Sequence, residues 1–151
     1  MAALAQDLSN RDMREVLAYT LSEAGLANYI EATRNLAVLP DGMPGACEDE
    51  TGESSIDEMV ASLNAWPGAS NAIRSAGMST REYVVFGWSV FQNAMAAWTA
   101  STINGSLPEG ASQANADFVV EHQADLERLG EYVSDDDCED SYDEFEEAVE
   151  E

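Results

Sequence analysis

The chain has 151 residues, 45% of them hydrophobic, with 30 acidic residues against six arginines and no lysine. Its formal net charge of −24 excludes nucleic-acid binding through a basic surface, because phosphate contacts need clustered Lys and Arg side chains. The length is that of one domain, and the apolar content is sufficient for a hydrophobic core.

The N-terminal segment carries no intact secretion signal, since MAALAQDLSNRD has neither a basic region nor an apolar stretch. Ala3 and Ala5 nevertheless match the small residues that remain around a signal cleavage site. We therefore expect one of two locations. The first is an exported, periplasmic mature form, and the second is the cytoplasm of a salt-adapted organism.

Helix starts are marked by Ser or Thr residues that are followed three positions later by Glu, at the head of an apolar-periodic segment. This spacing is typical of a capping box, in which the hydroxyl accepts a free backbone N–H and the Glu reaches back to the N–H of the cap. No run alternates in the manner of a strand, so the fold is predicted to be all-α. The four pairs are Thr20 with Glu23, Ser55 with Glu58, Ser79 with Glu82, and Ser141 with Glu144.

Apolar spacing predicts four helices before the centre of the chain. They run over about residues 10–18, 21–38, 56–65 and 67–76. Pro67 opens the last of them, and Gly77 ends it in a left-handed C-terminal cap. Residues 40–54 are predicted to form a loop, because they are rich in Pro, Gly and acidic residues.

The segment from Thr80 to Ser101 is apolar on nearly every face, which predicts a buried central helix within a compact helical bundle. A membrane span is not expected, because Ser89, Gln92 and Asn93 lie in mid-segment. Buried amides need hydrogen-bond partners. Gln92 and Asn93 are therefore candidates for a polar spot that lines a small ligand pocket, with helix-to-helix hydrogen bonding as the alternative.

The last long helix is predicted over about residues 112–133 and carries His122, the only histidine, on its apolar stripe. Asp125 lies one turn later and can orient the imidazole ring. His122 is thus a candidate catalytic or ligand-binding residue, and a half-buried structural histidine is the alternative.

Residues 1–133 form a single predicted helical domain, and residues 134–151 form an acidic C-terminal tail with eleven of the 30 acids. The apolar residues of the tail predict a short docked helix around Tyr142, Phe145 and Val149. Its side-chain oxygens also have the spacing of an EF-hand loop, although Asp140 stands where such a loop needs Gly. We expect no cofactor, with calcium or diffusely held cations as the alternative. The candidate metal ligands are Asp135, Asp137, Glu139, Asp143 and Glu146.

Two cysteines and two arginines complete the candidate sites. Cys47 and Cys138 lie among acidic residues, which disfavour a thiolate nucleophile. They can pair in an oxidising compartment and stay free in a reducing one. Arg34 and Arg81 lie in helical segments near the predicted core. Each is a candidate anion-binding group, with an internal ion pair as the alternative.

Five short stretches resemble segments of a group of small uncharacterised bacterial all-helical proteins, which usually carry a secretion signal. They are ATRNL at 32–36, SIDEM at 55–59, IRSAGMSTREY at 73–83, QAN at 113–115 and LERL at 126–129. The resemblance covers about residues 7–133. It implies an all-α fold and export, and it implies no activity. The chain departs from the group in its acidity and in its missing signal.

These patterns predict a non-enzymatic acidic helical protein with a binding or accessory role in a high-salt or extracytoplasmic setting. The partner is unknown, and a protein with a basic surface is one candidate. One alternative is a nucleic-acid mimic that inhibits such a basic protein. The other alternative is a small helical enzyme that uses His122.

Overall fold

The computed structural model describes residues 10–39, 55–108 and 110–129, and in these residues the chain is helical and forms no strand. The predicted all-α fold is therefore confirmed. The central helix is the one that begins at Thr80, and five of the other helices pack against it. The helices are α1 (Asn10–Ala18), α2 (Glu23–Ala37), α3 (Ile56–Ala65), α4 (Ala69–Ser75), α5 (Thr80–Thr99), α6 (Gln113–Glu121) and α7 (Gln123–Leu129), and a π-helical turn (Ala100–Asn104) follows α5.

The core surrounds Phe86 of α5, whose side chain is completely buried. Tyr29 of α2 stacks on the Phe86 ring with 4.7 Å between centroids, and Tyr19 meets its edge at 5.9 Å. Truncation of a buried aliphatic or aromatic side chain to alanine costs about 2–5 kcal/mol, so this cluster accounts for much of the fold's stability. Three more fully buried side chains bring α1, α3 and α4 into the same core: Val16, Ile56 and Ile73.

Two of the predicted capping pairs lie at helix N-termini. The Ser55 hydroxyl accepts the Glu58 N–H at 3.0 Å, and the Glu58 carboxylate accepts the Ser55 N–H at 3.4 Å, so the box is complete. At α5 the Ser79 hydroxyl accepts the Glu82 N–H at 3.0 Å. The Glu82 carboxylate instead accepts the Tyr19 hydroxyl at 3.2 Å. A serine cap stabilises its helix by about 1 kcal/mol.

The predicted cap at Thr20 is wrong, because α2 begins after Ser22, whose hydroxyl accepts a backbone N–H of the first turn at 3.0 Å. Thr20 lies in the connection between α1 and α2, and Asn115 of α6 forms two hydrogen bonds with the backbone of this connection. Asn115 Nδ2 donates to the Tyr19 carbonyl oxygen at 2.8 Å, and the Leu21 N–H donates to Asn115 Oδ1 at 3.0 Å. A side chain from a distant part of the chain thus holds the backbone immediately before α2.

Both ends of α4 depend on glycine. Pro67 does not open the helix as predicted, because α4 begins after Gly68, which has a φ of +85°. Glycine adopts this left-handed conformation without strain. The predicted end is confirmed, since Gly77 has a φ of +95°. The N–H groups of Gly77 and Met78 donate to the carbonyl oxygens of Arg74 and Ile73, which is a Schellman motif.

The single long helix predicted over residues 112–133 is interrupted at His122. With φ of −101° and ψ of 19°, this residue separates α6 from α7. Leu126 of α7 packs against the core, and Leu129 is buried. Residues 130–133, which the prediction included, lie outside the described residues.

Charge is distributed unevenly along the chain. All six arginines but only eleven of the 30 acids fall among the described residues, which therefore carry a formal charge of −5. The other 47 residues, in ranges 1–9, 40–54 and 130–151 and at position 109, hold 19 acids and no basic residue. Most of the negative charge therefore belongs to the sequence segments that flank and connect the described helices.

Candidate functional site

His122 lies at the junction of α6 and α7, where its ring contacts the Phe118 ring at a centroid distance of 4.3 Å. Its Nε2 is 3.9 Å from Glu23 Oε1 of α2, and its Nδ1 is 3.8 Å from Asp125 Oδ2 of α7. The side chain is 16% exposed. An aromatic neighbour and two carboxylates at the limit of ion-pair distance thus hold the ring where three helices meet. The ring is half-buried, as the structural alternative expects, and a catalytic role for His122 stays a prediction.

Arg81, in the first turn of α5, forms ion pairs with two acidic residues. Its Nε and Nη2 donate to the two carboxylate oxygens of Glu15 at 2.9 and 2.6 Å, and its Nη1 donates to Asp57 Oδ1 at 2.7 Å. Hydrogen bonds from the guanidinium hold the pKa values of Glu15 and Asp57 below their ordinary range. Because these donors are directed at α1 and α3, the geometry favours an internal ion pair over anion binding.

Asn93 is 1% exposed and bonds within its own helix. Its Nδ2 donates to the Ser89 carbonyl oxygen at 2.7 Å and to Ser89 Oγ at 3.3 Å. Its Oδ1 is buried without a hydrogen-bond partner among the described residues. The bonds of Asn93 therefore match neither the predicted pocket contact nor a helix-to-helix bond. Gln92, the next residue, is half-buried.

Arg34 is exposed in the last turn of α2, where its charge complements the carbonyl end of the helix. Within residues 10–39, 55–108 and 110–129, the His, Cys, Asp and Glu side chains form no group of three that could hold a metal ion. The other predicted site residues lie outside the described residues, and so does the predicted tail helix. They are Asp135, Asp137, Glu139, Asp143, Glu146, Cys47 and Cys138.

The second half of α5 presents an apolar stripe that is partly exposed to solvent, which we call the α5 stripe. Its residues Phe91, Met95 and Trp98 recur at positions i, i+4 and i+7, on one side of the helix. Phe91 is 43% exposed and Trp98 is 52% exposed. One turn earlier this side is covered by α3, since Trp88 Nε1 donates to Met59 Sδ at 3.0 Å. Neighbouring helices therefore leave part of the second half of α5 uncovered, which differs from the prediction.

The exposure of the α5 stripe was not predicted from the sequence, because an apolar segment has the same residue pattern whether other helices cover all of it or part of it. The available signal is length. α5 has 20 residues, whereas α3, which packs along it, has 10. In the part of the chain that the structure describes, no helix combines the length and apolar character needed to cross a bilayer.

A groove of about 320 Å³, which we call the α5–α6 groove, lies between the end of α5 and α6. Among the described residues that line it, Asp117 alone is charged. Asp117 Oδ1 accepts a hydrogen bond of 2.8 Å from Gln113 Nε2. Val120, on the same helix, is 59% exposed. The lining of the groove is therefore mixed, with apolar walls beside the polar side chains of Ser101, Ser106, Gln113 and Asp117. The apolar walls consist of Ala97, Ala100, Leu107, Ala116 and Val120.

The π-helical turn forms one end of the groove, and hydroxyl groups satisfy the carbonyl oxygens around it. Thr99 Oγ1 donates to the Met95 carbonyl oxygen at 2.9 Å. Ser101 Oγ and Thr102 Oγ1 both donate to the Trp98 carbonyl oxygen, at 3.0 and 2.7 Å. Such bonds replace the partners that a helix end lacks. They fix the segment that carries both the end of the stripe and the groove wall.

No protein-family model matches the chain, and no curated protein or solved structure is significantly similar to it. The resemblance to small bacterial helical proteins stays a prediction, and so does export. The functional interpretation rests on the α5 stripe, the α5–α6 groove and the charge distribution.

Proposed function

We propose that this chain is a non-enzymatic binding protein whose protein partner docks on the α5 stripe through an apolar contact bordered by basic residues. The observation that carries the proposal is the exposure of Phe91 and Trp98 on one side of the central helix. Aromatic side chains are enriched in the centres of protein interfaces, and Trp in particular among the residues that dominate binding energy.

The exposed rings represent a sizeable hydrophobic free energy. A Phe or Trp side chain buries about 150–250 Å² when fully covered, and burial contributes about 25 cal/mol per Å². A ring left about half exposed thus forgoes about 2–3 kcal/mol. Covering Phe91 and Trp98 together would contribute about 5 kcal/mol to association, before the entropic costs of binding.

The charge distribution supports a basic partner. Outside the described residues the chain has 19 acids and no basic residue. Such segments attract a basic protein over a distance and raise its association rate. Neither Arg nor Lys occurs between residues 82 and 121, the range that holds the α5 stripe and the α5–α6 groove. A basic border on the partner therefore meets no repelling charge there.

Two other uses of the charge agree less well with the fold. Salt adaptation accounts for the acids but gives no role to the exposed Phe91 and Trp98 rings. A nucleic-acid mimic would engage its partner through carboxylates and would leave the α5 stripe without a role. A high-salt or extracytoplasmic setting is compatible with the proposal, because an apolar contact persists when salt screens the charges.

A model partner tests the proposal directly. We suggest a labelled amphipathic helical peptide of about 14 residues, made of Leu and Lys, with binding followed by fluorescence anisotropy in about 0.15 M salt. The double substitution Phe91→Ser/Trp98→Ser should weaken binding by about 30-fold. The control Val38→Ser removes an apolar side chain that is 82% exposed at the end of α2, and it should leave the affinity unchanged.

A second peptide tests whether the partner must carry basic residues. A peptide with Glu in place of every Lys keeps the apolar spacing and should not bind. Circular dichroism of each variant checks that the fold is retained. If the double variant binds the basic peptide as tightly as the Val38→Ser control does, the acids alone hold the peptide and the proposal is overturned.

A further inference from the structure

The acidic tail contains one apolar segment, residues 141–149, whose predicted helix we call the tail helix. We infer that the tail helix docks on the α5 stripe and competes there with the basic partner. The competition rests on the proposed function, because it requires a partner that uses the same surface. The docking itself requires no partner.

The tail helix is predicted to be amphipathic. Tyr142, Phe145 and Val149 recur at i, i+3 and i+7, so they share one side of a helix. Ser141 and Glu144 have the same spacing as the capping pairs at the starts of α3 and α5. A helix this short is not stable alone in water, and its like charges one turn apart weaken it further. It therefore needs an apolar surface to pack against.

The α5 stripe offers such a surface. Phe91 and Trp98 lie seven residues apart, as Tyr142 and Val149 do, and seven residues of helix rise about 10 Å. The stripe and the apolar side of the tail helix thus have the same length. Among the described residues, the other exposed large apolar side chains are Val38, after α2, and Val120, on α6. Only the α5 stripe places two such side chains on one helix.

The stripe is also a surface that an acidic helix can approach without repulsion from α5. Residues 83–108 contain no acidic and no basic residue, and they include all of α5 after Glu82. The acids of a docked tail helix lie on its outer side, away from the apolar contact. A docked tail helix therefore covers the stripe and leaves its own charges free to attract a basic partner.

The tail is long enough to reach the stripe. α7 ends at Leu129 and contacts α6, which packs along α5. Packed helices lie about 8–10 Å apart, so α5 is two such steps, or about 20 Å, from α7. Residues 130–140 precede the tail helix, and a linker of this length spans up to about 35 Å when extended.

Peptide binding tests the competition. The double substitution Tyr142→Ser/Phe145→Ser, which we call the tail variant, removes apolar contacts and keeps every charge. If the tail helix covers the stripe in about four molecules out of five, about one fifth of the chains can bind the partner. The tail variant should therefore bind the Leu/Lys peptide about fivefold more tightly than the wild type. The control Ala148→Ser lies off the apolar side of the same helix and should leave the affinity unchanged.

A spin label detects the docking without a partner. A nitroxide is attached to Cys138 in the full chain, just before the tail helix, with Cys47→Ser so that one thiol reacts. In the docked state the label should broaden the NMR signal of the Met95 methyl group on the α5 stripe. The tail variant should abolish this broadening, and Ala148→Ser should preserve it. The stripe variant, Phe91→Ser/Trp98→Ser, should abolish it as well.

The outcomes separate this inference from the proposed function. Broadening of Met95 that is absent from the wild-type tail, or that persists in the tail variant, overturns the docking. An unchanged peptide affinity of the tail variant overturns the competition, and a weaker affinity does so too, because the peptide then binds the tail helix itself. The proposed function still stands in these cases if the stripe variant loses the peptide. If both variants abolish the broadening but the stripe variant binds the peptide normally, the tail docking is retained and the proposed function is overturned.

Discussion

Replacing Asn115 with alanine should destabilise the fold by about 2–4 kcal/mol, because one side chain serves two backbone groups of the α1–α2 connection. Asn115 is 4% exposed. Its amide donates to the Tyr19 carbonyl oxygen at 2.8 Å, and its carbonyl oxygen accepts the Leu21 N–H at 3.0 Å. Alanine leaves both backbone groups without these partners, and each unsatisfied buried group costs about 1–3 kcal/mol.

Urea unfolding followed by far-ultraviolet circular dichroism measures this loss as a shift of the midpoint at constant slope. Gln113→Ala is the control on the same helix, and its exposed side chain should change the free energy of unfolding by less than about 0.5 kcal/mol. If Asn115→Ala costs no more than Gln113→Ala, water replaces the amide freely and the reasoning is refuted.

An Asn115→Asp variant tests the direction of each hydrogen bond. Its carboxylate can accept the Leu21 N–H, but it repels the Tyr19 carbonyl oxygen to which the amide donated. Protonation restores a donor at that position, so the variant should regain stability as the pH falls below neutrality. A variant whose instability relative to the wild type does not change with pH would contradict the assigned geometry.

Three further predictions concern other polar contacts. The Arg81 guanidinium holds the pKa of Glu15 below its ordinary 4.5. This pair therefore stabilises the fold above that pH, and the stabilisation is lost as the pH falls. Arg81→Gln should lower the urea midpoint near pH 7, and the midpoint of the variant should fall less steeply in acid than that of the wild type. Burial, with a nearby carboxylate, raises the pKa of Tyr19 to about 12. The neutral phenol therefore contributes to the stability of the fold below pH 10, and this contribution is lost as the pH rises toward 12. An absorbance titration of Tyr19→Phe should lack one of the tyrosines that titrate late in the wild type. The double substitution Ser89→Ala/Asn93→Leu removes a buried amide oxygen that has no hydrogen-bond partner among the described residues. It should leave the free energy of unfolding unchanged or raise it by up to about 2 kcal/mol. A lower free energy of unfolding would reveal a missed partner.

Local sequence signals predicted several helix bounds residue for residue. α1 was expected over 10–18 and α3 over 56–65, and both occur there. The capping box at Ser55 and the left-handed Gly77 were also expected, and both are present. These features depend on hydrogen bonds between residues at most five positions apart. Such bonds are encoded by neighbours in the sequence and need no knowledge of the rest of the fold.

The candidate site could be predicted only in part, because its residues depend on partners that are distant in sequence. Arg81 and His122 were recognised as notable, but the sequence did not show that carboxylates from α1, α2 and α3 lie beside them. The α5 stripe was recognised as apolar and was expected to be buried. Which of its faces is covered is decided by where α3 starts and stops along α5.

The sequence by itself determined the helical class, the ends of α1 and α3, the start of α5 and the excess of acids, since these follow from composition and from contacts within one or two turns. Tertiary structure decided three things that local signals do not contain. It holds the backbone before α2 through Asn115, it breaks the last helix at His122, and it leaves Phe91 and Trp98 about half exposed. Each is an outcome of packing between segments far apart in the chain, and the proposed binding surface is a product of that packing.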